Sequence, residues 1–154
     1  MKLAEALTLR GDLDRKIKEL RNRIQTTARY VEGEEPLENV GELLAETRRL
    51  IGEQAKLIAR INHTNSVTVV NGMTLAEELA ERGRLSAEAS LLKDAATYAS
   101  PGRNIFGERR RVTELREVAS LPVPALRAEA DDLSQEHREL DTLIQQKNWE
   151  TELQ

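Results

Sequence analysis

The sequence predicts an all-α protein: an antiparallel bundle of about four long helices with a small two-stranded β insertion. Apolar residues recur at helical spacing over long stretches, aromatic residues make up only 3% of the chain, and charged residues make up 32%. High charge with few aromatic residues is typical of long helices and coiled coils. The regular apolar spacing argues against disorder. The 154 residues fit a single helical domain over 1–154.

The first two helices, expected at about 2–31 and 37–62, should form an antiparallel hairpin. Between them, Gly33 suits a helix C-terminus and Pro36 suits the start of the next helix. A short connection between two long helices predicts such a hairpin. The first helix carries a heptad series, which Arg10 and Thr27 interrupt: Leu3, Ala6, Leu13, Ile17, Leu20, Ile24 and Val31. The second carries a stripe of Val40, Leu43, Leu44, Leu50, Ile51, Leu57, Ile58 and Ile61.

A short β element should follow the second helix. The polar run 62–66 favours a turn or helix caps, and the β-branched run 67–70 indicates a strand. Asn71-Gly72 marks a tight turn. Because an isolated strand leaves backbone groups unpaired, we expect 66–70 to pair with an extended segment at 112–119. The wider stretch 103–122 is open to strand, helix or loop.

Two more helices are expected, at about 75–99 and 124–152. Thr74 and Glu77 have the spacing of a capping box, which places a helix start at Leu75. Pro122 and Pro124 prevent a helix from continuing through them, so the last helix begins near Pro124. One face of this helix carries Leu126, Ala130, Leu133, His137, Leu140 and Ile144.

No familiar catalytic or cofactor motif is present in the sequence. The chain has no cysteine, which excludes disulfide scaffolds, thiolate metal sites and cysteine nucleophiles. Neither His63 nor His137 stands three residues after a glutamate, as di-iron helical bundles require. Phosphate-binding glycine loops and the Gly-x-Ser-x-Gly elbow are also missing. We therefore expect no catalytic centre, no metal and no cofactor, although an enzyme built on scattered carboxylates stays open.

Two polar segments form a candidate binding site. The run 62–66 favours helix capping, and its alternative is a binding loop at the end of the hairpin. The arginine cluster at 109–111, with Arg103 nearby, could bind phosphates or an acidic partner. Pairing of the expected strands would bring the two segments together. The candidate residues are Asn62, His63, Thr64, Asn65, Arg103, Arg109, Arg110 and Arg111.

Composition and length also limit the functions that the protein can have. The net charge of −4 argues against a general affinity for nucleic acid or membranes. No stretch reaches the roughly 20 apolar residues of a transmembrane helix, and no secretory signal opens the chain, so we expect a cytoplasmic protein. Long helices with few aromatic residues bury little apolar surface within one chain. We therefore expect a homo-oligomer, a structural or interaction protein that acts through its helical faces. The alternative is ligand or nucleic-acid binding through 62–66 and 103–111, with nucleic acid disfavoured.

Several short segments resemble the septicolysin-like family of uncharacterised bacterial proteins. They are the opening residues 1–7 with Arg10, Asp12 and 20–24, the stretch 61–65, and the closing segments 138–142, 144–145 and 148–149. The resemblance implies no catalytic residues, because none is established for that family. Its name suggests a cytolysin. That activity is disfavoured here, since the sequence has no export signal and no strongly amphipathic basic helix.

Overall fold

A computed structural model describes residues 1–100 and 118–154. Within these ranges the chain forms α1 (Leu3–Thr27), α2 (Val40–Val67), β1 (Val69–Val70), β2 (Met73–Thr74), α3 (Leu75–Ala99) and α4 (Val123–Glu150). The predicted class, all-α with a small β insertion, is confirmed. The chain divides into two compact units, the first comprising Met1–Ala76 with Gln145–Gln154 and the second Glu77–Ile144. The single-domain organisation stays a prediction.

The first unit is built on the predicted hairpin, in which α1 packs against α2. Its core cluster consists of Ile17 and Leu20 from α1 with Leu43 and Leu50 from α2. The buried residues of α2 follow one another at steps of three, four or seven: Leu43, Thr47, Leu50, Leu57, Ile61 and Thr64. This spacing keeps one stripe of the helix turned toward its partner along the whole contact.

The connection between the two helices is longer than expected. α1 ends at Thr27 rather than near 31, and α2 begins at Val40 rather than near 37. The start of α2 is set by Asn39, whose side-chain oxygen accepts hydrogen bonds from the N–H groups of Gly41 at 3.0 Å and Glu42 at 3.3 Å. An asparagine in this position satisfies backbone donors that have no partner within the helix. The helix therefore starts after Asn39 and not at Pro36.

The predicted turn at 62–66 is wrong, because α2 continues through it to Val67. Ile61 and Thr64 extend the buried stripe and are 2% and 0% exposed. The Thr64 hydroxyl donates to the carbonyl oxygen of Arg60 at 2.9 Å, which satisfies a buried polar group inside the helix. Packing of this last stretch outweighs the preference of its polar residues for turns.

The β insertion is a hairpin made from adjacent residues. Val69 pairs with Thr74 and Val70 pairs with Met73 in antiparallel register. The two residues between the strands, Asn71 and Gly72, have φ of 50° and 89°, as a type I′ turn requires. Within the described residues the partner of β1 is therefore β2 and not the predicted 112–119, of which 112–117 lie outside these residues. The two-residue turn places Met73 and Thr74 beside β1. These two residues form the whole second strand, because α3 begins at Leu75. Residues 118–119 form no strand, and 101–117 lie outside the described residues.

Both chain ends are fixed within the first unit. Lys2 and Glu152 form an isolated antiparallel bridge. In it, Leu3 N donates to Thr151 O and Leu153 N donates to Met1 O, both at 2.9 Å. The Glu152 carboxylate lies 3.1 Å from the N-terminal ammonium and 2.8 Å from Lys2 Nζ. These contacts attach the end of the chain to the start of α1.

In the second unit, polar contacts join α3 and α4. Arg82 Nη1 lies 2.7 Å from an Asp141 carboxylate oxygen, and Lys93 Nζ donates to Ser134 Oγ at 2.8 Å. The bounds of α3 match the predicted 75–99, and α4 begins one residue before the predicted 124. The buried apolar residues of this unit are Leu85, Ala89, Ala96, Ala130 and Ile144.

Candidate functional site

The structure places half of the predicted binding residues in the last turns of α2. Asn62 and His63 are exposed and Asn65 is half-buried. Thr64 is buried, and its hydroxyl bonds both Arg60 and Gln154, so it serves the fold. The other half, Arg103 and Arg109 to Arg111, lies outside the described residues. A joint site formed by the two segments stays a prediction.

A second apolar series runs along the exposed side of α2. Leu44 and Ile51 are 41% and 48% exposed, and Ile58 is half-buried. They stand seven residues apart, each directly after a residue of the buried series Leu43, Leu50 and Leu57. Because successive helical residues are about 100° apart, the two series form neighbouring stripes. We call Leu44, Ile51 and Ile58 the outer stripe.

Beside the outer stripe, α1 and α2 enclose a shallow groove of about 250 Å³. Ile24, Leu44 and Ile51 supply its apolar side chains. Its polar residues are Arg21, Gln25, Thr47 and Arg48. The ion pairs of α1 with Glu38, which precedes α2, and with Glu46 of α2 are formed by Arg23 and Lys16, which do not line this groove. The groove thus combines three apolar side chains with the two arginines Arg21 and Arg48.

A larger hollow of about 840 Å³ lies at the connected end of the hairpin and is lined by residues between Thr27 and Gly41. Its apolar residues are unusually exposed. Tyr30 is 61% exposed and Leu37 is 91% exposed. Exposed apolar groups at one end of a helical hairpin indicate a contact surface. In the sequence this segment has only the features of a connection between two helices.

The second unit contains a groove of a different character, which we call the polar groove. It occupies about 350 Å³ between α3 and α4. Its residues are Ser86, Ala89, Ser90 and Lys93 of α3 with Ser134, His137 and Arg138 of α4. The sequence contains no signal for this cluster, because its members stand on two helices without motif spacing. The apolar pattern of the last helix predicts His137 on an apolar face. The residue is half-buried at the groove.

The described part of the chain offers no metal centre of the usual kind. No three His, Asp or Glu side chains within 1–100 and 118–154 lie close enough together to hold a metal ion. None of the helices in these ranges combines the length and the apolar character needed to cross a bilayer.

Comparisons with known proteins lead only to proteins of unknown function. A family of unknown function (DUF6847) matches residues 10–153. A solved structure, described as a functionally unknown conserved protein from Corynebacterium diphtheriae, is 39% identical and superposes with a TM-score of 0.91. That alignment covers 100% of this chain and 99% of the other. No curated protein matches the chain.

These comparisons show that the resemblance to septicolysin-like proteins is wrong. Neither the family model nor the solved structure that matches the chain points to septicolysin-like proteins. The segments that carry the resemblance are short and lie almost entirely in helices. Leu, Glu and Arg at helical spacing recur in unrelated amphipathic helices, so such segments discriminate poorly between families. The cytolysin alternative, which depended on that family name, has no support.

Proposed function

This chain belongs to the DUF6847 family, a family of unknown function, and we propose that it is an interaction protein that self-associates through the outer stripe of α2. The observation that carries the proposal is a second heptad series left exposed beside the buried one. A heptad series on one helix is the pattern that packs against another helix. The first series is buried within the chain, and the second is only partly covered by the described residues.

The spacing of the outer stripe suits a second copy of the same helix. Leu44 and Ile58 stand seven residues on either side of Ile51. An antiparallel copy related by a two-fold axis at Ile51 would therefore place Leu44 of one chain opposite Ile58 of the other. Such a self-complementary contact is the commonest form of dimer.

The charges beside the stripe are compatible with this arrangement. In the same register, Arg48 of one copy would face the stretch around Gln54 and Ala55 of the other rather than a second arginine. Both of these residues are uncharged. Like charges directly opposite each other would oppose association. The arrangement avoids that repulsion along the centre of the contact.

The amount of apolar surface predicts a weak dimer. Burying the remaining exposed part of each outer-stripe side chain contributes on the order of 1 kcal/mol. Six such side chains in two copies give roughly 6 kcal/mol, a gain comparable with the cost of association. A gain of about 6 kcal/mol by itself corresponds to a dissociation constant of roughly 40 μM. The cost of association weakens it further, so we expect a dissociation constant of roughly a millimolar or weaker. The dimer should therefore form only as the protein concentration rises.

Sedimentation velocity at increasing protein concentration tests the proposal with Ile51→Glu and the control Lys56→Glu. Both positions are exposed on α2, but Lys56 lies outside the outer stripe. We expect the unsubstituted protein and Lys56→Glu to approach twice the monomer mass, and Ile51→Glu to stay monomeric with unchanged helix content. A protein that is monomeric at every concentration, or a dimer unaffected by Ile51→Glu, would contradict the proposal.

The other functional expectations stay predictions. These are the cytoplasmic location and the binding of a ligand through 62–66 with 103–111. Docking of a different protein on the helical faces is a further expectation of the same kind. No contact among the described residues favours these expectations over self-association.

A further inference from the structure

The polar groove of the second unit presents hydrogen-bond donors from both of its walls. Lys93 and Arg138 supply an ammonium and a guanidinium group, and Ser86 and Ser90 supply hydroxyls on exposed positions. Lysine carries three N–H donors and arginine five, and neither can accept a hydrogen bond. The groove therefore suits a ligand that is rich in acceptors.

One of these donors is already held in place. Lys93 Nζ donates to Ser134 Oγ at 2.8 Å, and Ser134 Oγ in turn donates to the carbonyl oxygen of Ala130 at 2.6 Å. This chain of two hydrogen bonds places the exposed ammonium beside α4 and leaves it further N–H groups. A positioned cation loses less freedom on binding a ligand than a mobile one.

Three carboxylates of the same helices form ion pairs with arginines other than Arg138. Asp141 pairs with Arg82, and Glu81 and Glu88 both pair with Arg84. Within the described residues, neither Lys93 nor Arg138 forms an ion pair with a carboxylate. Two cations that line one groove, without an ion pair to a carboxylate of the described residues, favour the binding of an anion.

From these three observations we propose that the polar groove binds a small tetrahedral oxyanion, either inorganic phosphate or the phosphate group of a small phosphomonoester. Phosphate oxygens accept hydrogen bonds in several directions, which matches donors that converge from two helices. A planar carboxylate has only two oxygens and would leave some of these donors without a partner. The groove volume of about 350 Å³ leaves room for a small group attached to the phosphate. This site is separate from the outer stripe and does not depend on self-association.

Titration followed by ¹H–¹⁵N NMR tests the proposal with inorganic phosphate, glycerol 3-phosphate and acetate at constant ionic strength. We expect saturable shifts of backbone amide signals around 86–93 and 134–138 with at least one of the two phosphates, and weaker, non-saturating shifts with acetate. Tighter binding of inorganic phosphate or of glycerol 3-phosphate then identifies the source of the oxyanion. Absence of saturable shifts with both phosphates would overturn the proposal.

Matched variants test which residues hold the anion. The double variant Lys93→Gln/Arg138→Gln should weaken phosphate binding at least about tenfold, because two charge-assisted hydrogen bonds are lost. The control Lys56→Gln/Arg29→Gln removes the same charges from exposed positions in the first unit and should bind as the unsubstituted protein does. Equal weakening in both double variants would show a general effect of net charge and overturn the proposal. Unchanged binding in Lys93→Gln/Arg138→Gln would do the same.

Discussion

The hydroxyl oxygen of Thr64 accepts a hydrogen bond from the backbone N–H of Gln154 at 3.0 Å, across 90 positions of sequence. Thr64 is fully buried. One turn earlier in α2, Arg60 Nε donates to the carbonyl oxygen of Gln154 at 3.0 Å. Gln154 is thus bound through both its backbone N–H and its main-chain oxygen. The end of α2 holds Gln154 against the helix.

Replacing Thr64 by valine should lower the free energy of unfolding by about 1 kcal/mol. Valine has nearly the same shape but offers no oxygen to the N–H of Gln154. Urea unfolding measures the change, and Thr26→Val is the matched control. The Thr26 hydroxyl is exposed and bonds only carbonyl oxygens of its own helix, so its loss should change stability by a few tenths of a kcal/mol. Equal stability of the two variants would show that the contact with Gln154 contributes nothing.

Leu50 and Ile51 are adjacent in sequence, but truncation of Leu50 should lower the free energy of unfolding much more than truncation of Ile51. Leu50 is 3% exposed and belongs to the core cluster of the hairpin, so Leu50→Ala should cost about 2–5 kcal/mol. Ile51→Ala should cost less than about 1 kcal/mol, because its side chain is 48% exposed. Denaturant unfolding at a concentration where the protein is monomeric compares them. A larger loss for Ile51→Ala would contradict the assignment of the two stripes.

The ion pair between Arg23 and Glu38 should make the hairpin sensitive to acid. The hydrogen bond from Arg23 is the main cause that lowers the pKa of Glu38 below its ordinary 4.5. Because the folded-state pKa is the lower one, the stabilisation is complete above pH 4.5 and is lost as the pH falls through the folded-state pKa. Glu38→Gln should therefore melt below the unsubstituted protein at neutral pH, and the difference should shrink below pH 4.5.

Thermal melting from neutral pH to about pH 3 measures this difference. Glu32→Gln, on an exposed residue of the same connection, is the matched control and should show a smaller, nearly constant offset. A difference for Glu38→Gln that stays constant over the whole range would show that the pair contributes no pH-dependent stability.

Two glycines should respond with opposite signs to the same substitution. Gly72 has a φ of 89° in the tight turn, where a β-carbon is strained, so Gly72→Ala should destabilise by about 1 kcal/mol. Gly11 lies inside α1 with open space at its β-carbon position. Gly11→Ala should stabilise by about 0.5–1 kcal/mol, because alanine loses less backbone freedom in a helix. Melting temperatures that move in the same direction would contradict this pair of predictions.

Local chemistry predicted much of this fold correctly. The capping spacing of Thr74 and Glu77 placed α3, and Asn71-Gly72 marked the turn between β1 and β2. Such features depend on residues a few positions apart, so a sequence contains them directly. The end of α2 was mispredicted for the same reason. The polar run 62–66 favours a turn locally, but Thr64 is held in the helix by burial and by the distant Gln154.

The sequence by itself determined the helices, their amphipathic character and the absence of familiar catalytic motifs. Only the tertiary structure decided which stripe of α2 is buried. The series that starts at Leu43 and the one that starts at Leu44 share the same heptad spacing, so periodicity cannot choose between them. Packing against α1 covers the first and leaves the second exposed. Helix pairing likewise brings Lys93 within 2.8 Å of Ser134, because contacts between distant residues arise from packing and leave no local pattern.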